Sequence, residues 1–160
     1  MEQLSNLEAI GRIVLSLLLG GAIGWDRERA NKAAGLRTYA LVCQGAALFM
    51  LASVLLGERS SQGDMPMPYD PSRIDSTIVQ GIGFLAAGVI LVSGNRVRGP
   101  TTAAGIWVTA ALGLLVGAGF YLVAIVGTLS TLAVLSTLQG VENRFVEPRD
   151  REDERPDDGR

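Results

Sequence analysis

TTAAGIWVTAALGLLVGAGFYLVAIVGTLSTLAVLSTL, residues 101–138, contains no Asp, Glu, Lys, Arg or His. Drawn as one α-helix rising about 1.5 Å per residue, it would far exceed a hydrocarbon core about 30 Å thick. Gly117-Ala118-Gly119 supplies the break, because glycine admits the backbone conformations of a tight hairpin. The stretch therefore reads as a fourth helix over about 101–117 and a fifth over about 120–139, in preference to one long tilted helix.

The remainder of the chain has the same texture. Its 160 residues are 48% hydrophobic and 19% charged, with formal net charge -2. A soluble domain can share those totals, so distribution decides, and here the charges are clumped between apolar stretches. A first helix covers Leu7 to Trp25, followed by a polar segment from Asp26 to Arg37. A second covers Thr38 to Leu56, and Gly57 to Asp75, rich in Ser, Pro, Gly and Asp, reads as an irregular loop. A third spans Ser76 to Val92, with Asp75 or Ser76 as its N-cap, and a turn over 93–100 leads into the fourth. Backbone exposed to lipid must satisfy its own hydrogen bonds. The predicted fold is accordingly an all-α membrane protein of about five transmembrane helices over residues 1–141. A charged cytoplasmic tail over 142–160 is expected to be disordered, because it has too little apolar surface to order itself. The first residues, Met1-Glu2-Gln3-Leu4-Ser5, lack a basic signal-peptide region, so the first helix reads as retained.

Positive charge sets the expected orientation. Arg27, Arg29, Lys32 and Arg37 flank the first connection, Arg96 and Arg98 lie in the third, and five arginines follow the fifth helix. The other side has Arg12, Arg59 and Arg73. The positive-inside rule places the N-terminus outside and the C-terminus in the cytoplasm.

The lack of histidine removes His-based metal sites and catalytic dyads. Cys43, inside an apolar stretch, reads as a small hydrophobe. No nucleophile–base pair marks an enzyme, and neither a metal, another cofactor nor nucleic acid is expected. Gly81-Ile82-Gly83-Phe84-Leu85-Ala86 matches a dinucleotide fingerprint loosely, but it lacks the preceding strand and the acidic residue about 20 positions on.

Ser16, Gly20 and Gly24 form one row of small residues at a spacing of four; Thr101, Gly105, Thr109, Gly113 and Gly117 form a longer one. Such rows mark close helix contacts in lipid, either within the chain or along a homodimer seam. Gly81, Gly83 and Gly88 of the third helix are expected to join these packing positions. Shifting the chain by 64 pairs Asn31 with Asn95, Gly35 with Gly99 and Thr38 with Thr102. Those matches suggest two parallel helical hairpins followed by a fifth helix, a repeat of the kind transporters use.

Asp26, Arg27, Glu28, Arg37, Thr38, Asn95, Arg98, Thr101 and Thr102 all fall at one membrane face. Two readings stand: an interfacial ion-pair network fixing the loops, or a site for a ligand, ion or partner. Asp26 is expected to pair with Arg37 or Arg98, whose planar guanidinium suits a carboxylate. Thr38, Thr101 and Thr102 are expected to cap helix N-termini. On the outer side Arg12 lies at i,i+4 from Glu8 and is expected to snorkel. Gln44 and Gln80 are expected to bridge helices. The membrane centre shows no carboxylate, which argues against a stand-alone magnesium or proton channel.

Gly24-Trp25-Asp26-Arg27-Glu28 with Ala34-Gly35-Leu36-Arg37-Thr38 resembles the first signature of the MgtC/SapB membrane family. Residues 81–90, followed by Val97-Arg98-Gly99-Pro100-Thr101-Thr102-Ala103-Ala104 and Trp107, resemble its second. The chain departs at Asp26, Ala86 and Pro100, where the family usually has Glu, Gly and Leu. The resemblance implies a bacterial inner-membrane protein linked to growth at low magnesium and, in intracellular pathogens, to survival in the host. It also implies modulation of other membrane proteins, such as ATP synthase, rather than magnesium transport. A small oligomeric transporter or channel for a cation is the alternative. Larger members carry a soluble domain after the fifth helix, where this sequence has a charged tail.

Overall fold

Ser5 starts the first helix by accepting a hydrogen bond from the Glu8 N–H at 3.2 Å, which satisfies one of the orphan donors of a helix N-terminus. The computed structural model describes residues 4–61, 72–93 and 96–145. Within them the order is α1 (Asn6–Arg29), α2 (Leu36–Ser61), α3 (Ser72–Ala87), β1 (Leu91–Ser93), β2 (Arg96–Arg98), α4 (Pro100–Gly117) and α5 (Tyr121–Phe145). The architecture is the expected helical membrane bundle. α1, α2 and α4 are each long and apolar enough to cross a bilayer; the apolar parts of α3 and α5, 76–87 and 121–137, are shorter. The charged tail beyond residue 145 lies outside the described residues.

Two breaks follow from backbone chemistry. After α4, Gly119 sits at φ +90, the Phe120 N–H donates to the Leu115 carbonyl at 2.9 Å and the Gly119 N–H to Val116 at 3.0 Å. That is a Schellman stop, which needs a left-handed residue, and it falls within the Gly117–Gly119 break expected from sequence. After α1 the same pair of bonds runs from Lys32 to Arg27 and from Asn31 to Glu28, with Asn31 at φ 51. Asparagine tolerates that conformation better than other side chains.

The third connection corrects the sequence reading. α3 ends at Ala87, not Val92, and an antiparallel β-hairpin follows, pairing Leu91 with Arg98, Val92 with Val97 and Ser93 with Arg96. Gly88 weakens the helix, and the β-branched Val89, Ile90 and Val92 favour extended backbone. Gly99 then enters α4 at φ +91.

α2 lies at the centre, with α1 and α4 packed on it. An added Cβ at Gly20 would approach Cys43 Cβ and the Tyr39 carbonyl at 2.6 Å; one at Gly24 would approach Leu36 Cα at 2.7 Å. On α4, an added Cβ at Gly105 would lie 2.6 Å from Tyr39 Oη, one at Gly113 would run into the Cys43 carbonyl, and one at Gly117 would lie 2.7 Å from the Ala47 carbonyl. Thr109, fully buried, donates to the Gly105 carbonyl at 2.8 Å. The row on α1 and, apart from the exposed Thr101, the row on α4 therefore pack inside the chain. These contacts make α1 antiparallel to α2, and α4 parallel to it. Gly81 and Gly83 correct the packing assignment: an added Cβ at either meets nothing within 4 Å, and Gly88 faces only carbonyls of its own helix end. Ile23, Tyr39, Cys43, Ile106 and Val116 form the fully buried centre.

Candidate functional site

The polar residues at the α1–α2 connection are held by their own neighbours. Arg27 lies on the buried side of α1, with its side chain only 3% exposed. Its Nε donates to Asp26 Oδ2 at 2.9 Å, and its Nη2 donates to the Leu135 carbonyl of α5 at 2.9 Å. Asp26 thus pairs with the next residue along, not with Arg37 or Arg98 as expected. Arg37 and Arg98 are exposed, whereas Arg27 is carried inward against α5, where a desolvated guanidinium needs a carboxylate and a carbonyl.

Glu28 bridges the loop. Its Oε2 accepts from the Leu36 N–H at 2.7 Å, and Gly35 leaves space for the carboxylate: an added Cβ would lie 2.7 Å from it. The Arg29 guanidinium lies 5.6 Å from the centre of the Trp25 ring. Tyr39, fully buried, donates to the Thr102 carbonyl at 3.3 Å, joining α2 to the start of α4. The threonine caps do not form on α4. Its N-cap is Gly99 without a side-chain hydrogen bond, Pro100 enters the first turn, and Thr102 is buried. Thr38 and Thr101 are exposed, the latter beside a cavity of about 270 Å³ between α4 and α5. Asn95 lies outside the described residues.

The expected cluster is therefore two things. Asp26, Arg27 and Glu28 are a joint that fixes α1, α2 and α5. The hairpin is a projection: Leu91, Val92 and Val97 are 65%, 71% and 59% exposed, with Arg98 opposite Leu91.

The opposite end carries a site of which sequence reasoning saw only the Glu8–Arg12 spacing. Arg12 does not snorkel. It is 8% exposed and donates to the Gly117 carbonyl at 2.6 Å, to Glu8 Oε1 at 2.6 Å and to Tyr121 Oη at 3.0 Å. Tyr121 in turn donates to Glu8 Oε1 at 3.1 Å. The signal was Tyr121, two residues after Gly119 of the glycine break, where it meets the start of α1. Glu8, Asp26, Glu28 and Glu58 each accept from a donor of the protein itself, Glu58 from the Leu4 N–H at 3.3 Å. Among the described residues, no group of three or more Asp, Glu, His or Cys side chains converges as a metal site.

Residues 13–144, which carry both motif-bearing connections and reach from within α1 nearly to the end of α5, match the sequence profile of the MgtC family. The chain belongs to the MgtC family. It is 42% identical over 139 residues to YhiD of Escherichia coli strain K12, named as a candidate magnesium transporter, covering 87% of this chain and 64% of YhiD. It is 44% identical over 124 residues to MgtC of Brucella abortus strain 2308, covering 78% of this chain and 48% of that protein. SrpB of Synechococcus elongatus is 40% identical over 135 residues. The chain thus spans about half to two thirds of the length of YhiD and MgtC. No solved structure matches it. Every residue of the MgtC-like cluster falls inside the matched range, whereas Glu8 and Arg12 precede it.

Proposed function

We propose that this chain is a non-enzymatic regulator in the bacterial inner membrane, serving adaptation to low magnesium by contacting another membrane protein through its β-hairpin. The carrying observation is the hairpin itself, which presents Leu91, Val92 and Val97 beside Arg98 without burying them on its own bundle. Apolar surface next to a guanidinium is the composition of a protein interface. The engagement of Glu8, Asp26, Glu28 and Glu58 by internal donors supports regulation over cation passage, because these carboxylates already have partners. ATP synthase is the first partner to test, on the family resemblance. The charge distribution supports an outside N-terminus and a cytoplasmic hairpin.

The test is complementation of a strain that lacks its own copy and grows poorly at low magnesium. Val92→Ser/Val97→Ser and Arg98→Ala should insert and accumulate normally but fail to restore growth, and should lose the protein captured by wild type from native membranes. Full rescue by both variants would remove the hairpin from the mechanism. Magnesium flux into liposomes above that of empty vesicles would establish the transporter reading that the name of YhiD suggests.

A further inference from the structure

α1 uses its three arginines in two ways. Arg12 and Arg27 are buried, and each takes a carboxylate and a backbone carbonyl of its own chain. Arg29 is exposed, and among the described residues its guanidinium meets no carboxylate; it lies over the ring of Trp25, 5.6 Å from the centre. The place of that pair follows from helix periodicity. Leu7, Ile10, Val14, Leu18, Ala22 and Trp25 are all exposed, and steps of three or four residues line them up on one side of α1. Arg29 is the next step of the same line. At about 1.5 Å per residue, Leu7 and Trp25 lie about 27 Å apart along the axis, close to a hydrocarbon core about 30 Å thick. An apolar line of that length, turned away from the bundle, faces acyl chains. Trp25 ends it at the depth where tryptophan anchors membrane helices, and Arg29 lies one turn further out, among the phosphates.

We propose that Trp25 and Arg29, with Lys32 in the turn that follows, form a site for the headgroup of an anionic phospholipid. A guanidinium seated over an aromatic ring keeps its N–H groups at the edge of its plane, where they can take two phosphate oxygens at once. The nearby negative charges are directed elsewhere. Asp26 is paired with Arg27, and the Glu28 carboxylate reaches across the loop to the Leu36 N–H. The Asp26, Arg27 and Glu28 carbonyls, at the negative pole of α1, are taken by the N–H groups of Ala30, Lys32 and Asn31. Lys32 is exposed and supplies a second cation. A choline or ethanolamine headgroup carries its own cation beside the phosphate, so it gains less here than a headgroup of net negative charge. Each cation near a membrane surface brings about a fivefold preference for anionic lipid. The site is separate from the hairpin and independent of what the hairpin contacts.

Trp25 is its own reporter. The full chain carrying Trp107→Phe keeps Trp25 as its single tryptophan. In phosphatidylcholine vesicles, brominated phosphatidylglycerol should quench Trp25 as a lipid bound at least about fivefold more tightly than brominated phosphatidylcholine. About 0.5 M salt should weaken that preference, because the site lies in the headgroup region and is open to screening. Arg29→Gln/Lys32→Gln should bring the ratio of the two lipids to within about twofold of unity. Its thermal unfolding should be preserved, because both side chains are exposed. Arg59→Gln, exposed near the far end of α2, should leave the ratio as it was. Equal quenching by the two lipids, or a preference that survives Arg29→Gln/Lys32→Gln, would overturn the proposal. So would loss of the preference in millimolar inorganic phosphate at constant ionic strength, which would assign the site to a free anion.

Discussion

Replacing Arg27 by methionine keeps most of the aliphatic stem and removes the guanidinium. The side chain is 3% exposed, so what is lost is a desolvated charge with partners on two helices. Removing one partner of a fully buried ion pair costs about 3–5 kcal/mol. Asp26 is 30% exposed and can rehydrate, which brings that figure down. Loss of the charge-assisted bond to the Leu135 carbonyl adds about 1.5–3 kcal/mol before the methionine's packing offsets part of it. The expected net destabilisation is about 2–4 kcal/mol, read by reversible denaturant unfolding in detergent micelles. Arg37→Met, at an exposed position, should stay within about 0.5 kcal/mol of wild type. Asp26→Asn/Arg27→Met should cost less than the sum of its single variants, because the pair is one coupled unit. If Arg27→Met unfolds with wild-type stability, or if Arg37→Met matches its loss, the joint is not what fixes α5.

Arg12→Met should release the turn between α4 and α5, raising amide exchange at 119–122 about tenfold as local opening becomes easier; unchanged protection would show that Tyr121 alone suffices. Gly113→Ala drives a methyl group toward the Cys43 carbonyl and to 2.9 Å from Ala46 Cβ, and should cost about 1–3 kcal/mol. Gly11→Ala, with nothing within 4 Å, should be neutral or stabilising by up to about 1 kcal/mol; equal losses at both sites would discredit the packing rows. In a Cys43→Ser background, Ser61→Cys should label with an impermeant reagent from outside intact cells and Ser93→Cys only after permeabilisation. Equal labelling would refute the orientation.

The parts of the fold legible in the sequence were those set by counting. A run longer than one bilayer with glycines in the middle had to break there, and small residues four apart had to share a face. What stayed hidden depended on rotation about a helix axis and on competition among similar groups. Asp26 had several arginines within reach, and only the facing of α1 toward α5 selects Arg27. Arg12 lies near a helix end, where snorkelling is the ordinary expectation, yet its side chain turns inward because the Gly117 carbonyl is free to receive it. Gly81 and Gly83 have the composition of packing residues without a partner among the described residues. The hairpin was missed because each strand has three residues, too few for an alternating pattern to register.

Two of the three arginines of α1, Arg12 and Arg27, grip acceptors that lie 105 to 109 residues later in the chain. At translation rates of about 5–20 residues per second, α1 leaves the ribosome about 5–20 s before Gly117, Tyr121 and Leu135 exist to receive those bonds. During that interval its guanidinium groups have only their neighbours Glu8 and Asp26, besides water and headgroups, so the nascent helix is held at a provisional depth. Synthesis of α5 is then what lets α1 settle, and biogenesis of this chain closes from its last helix back onto its first.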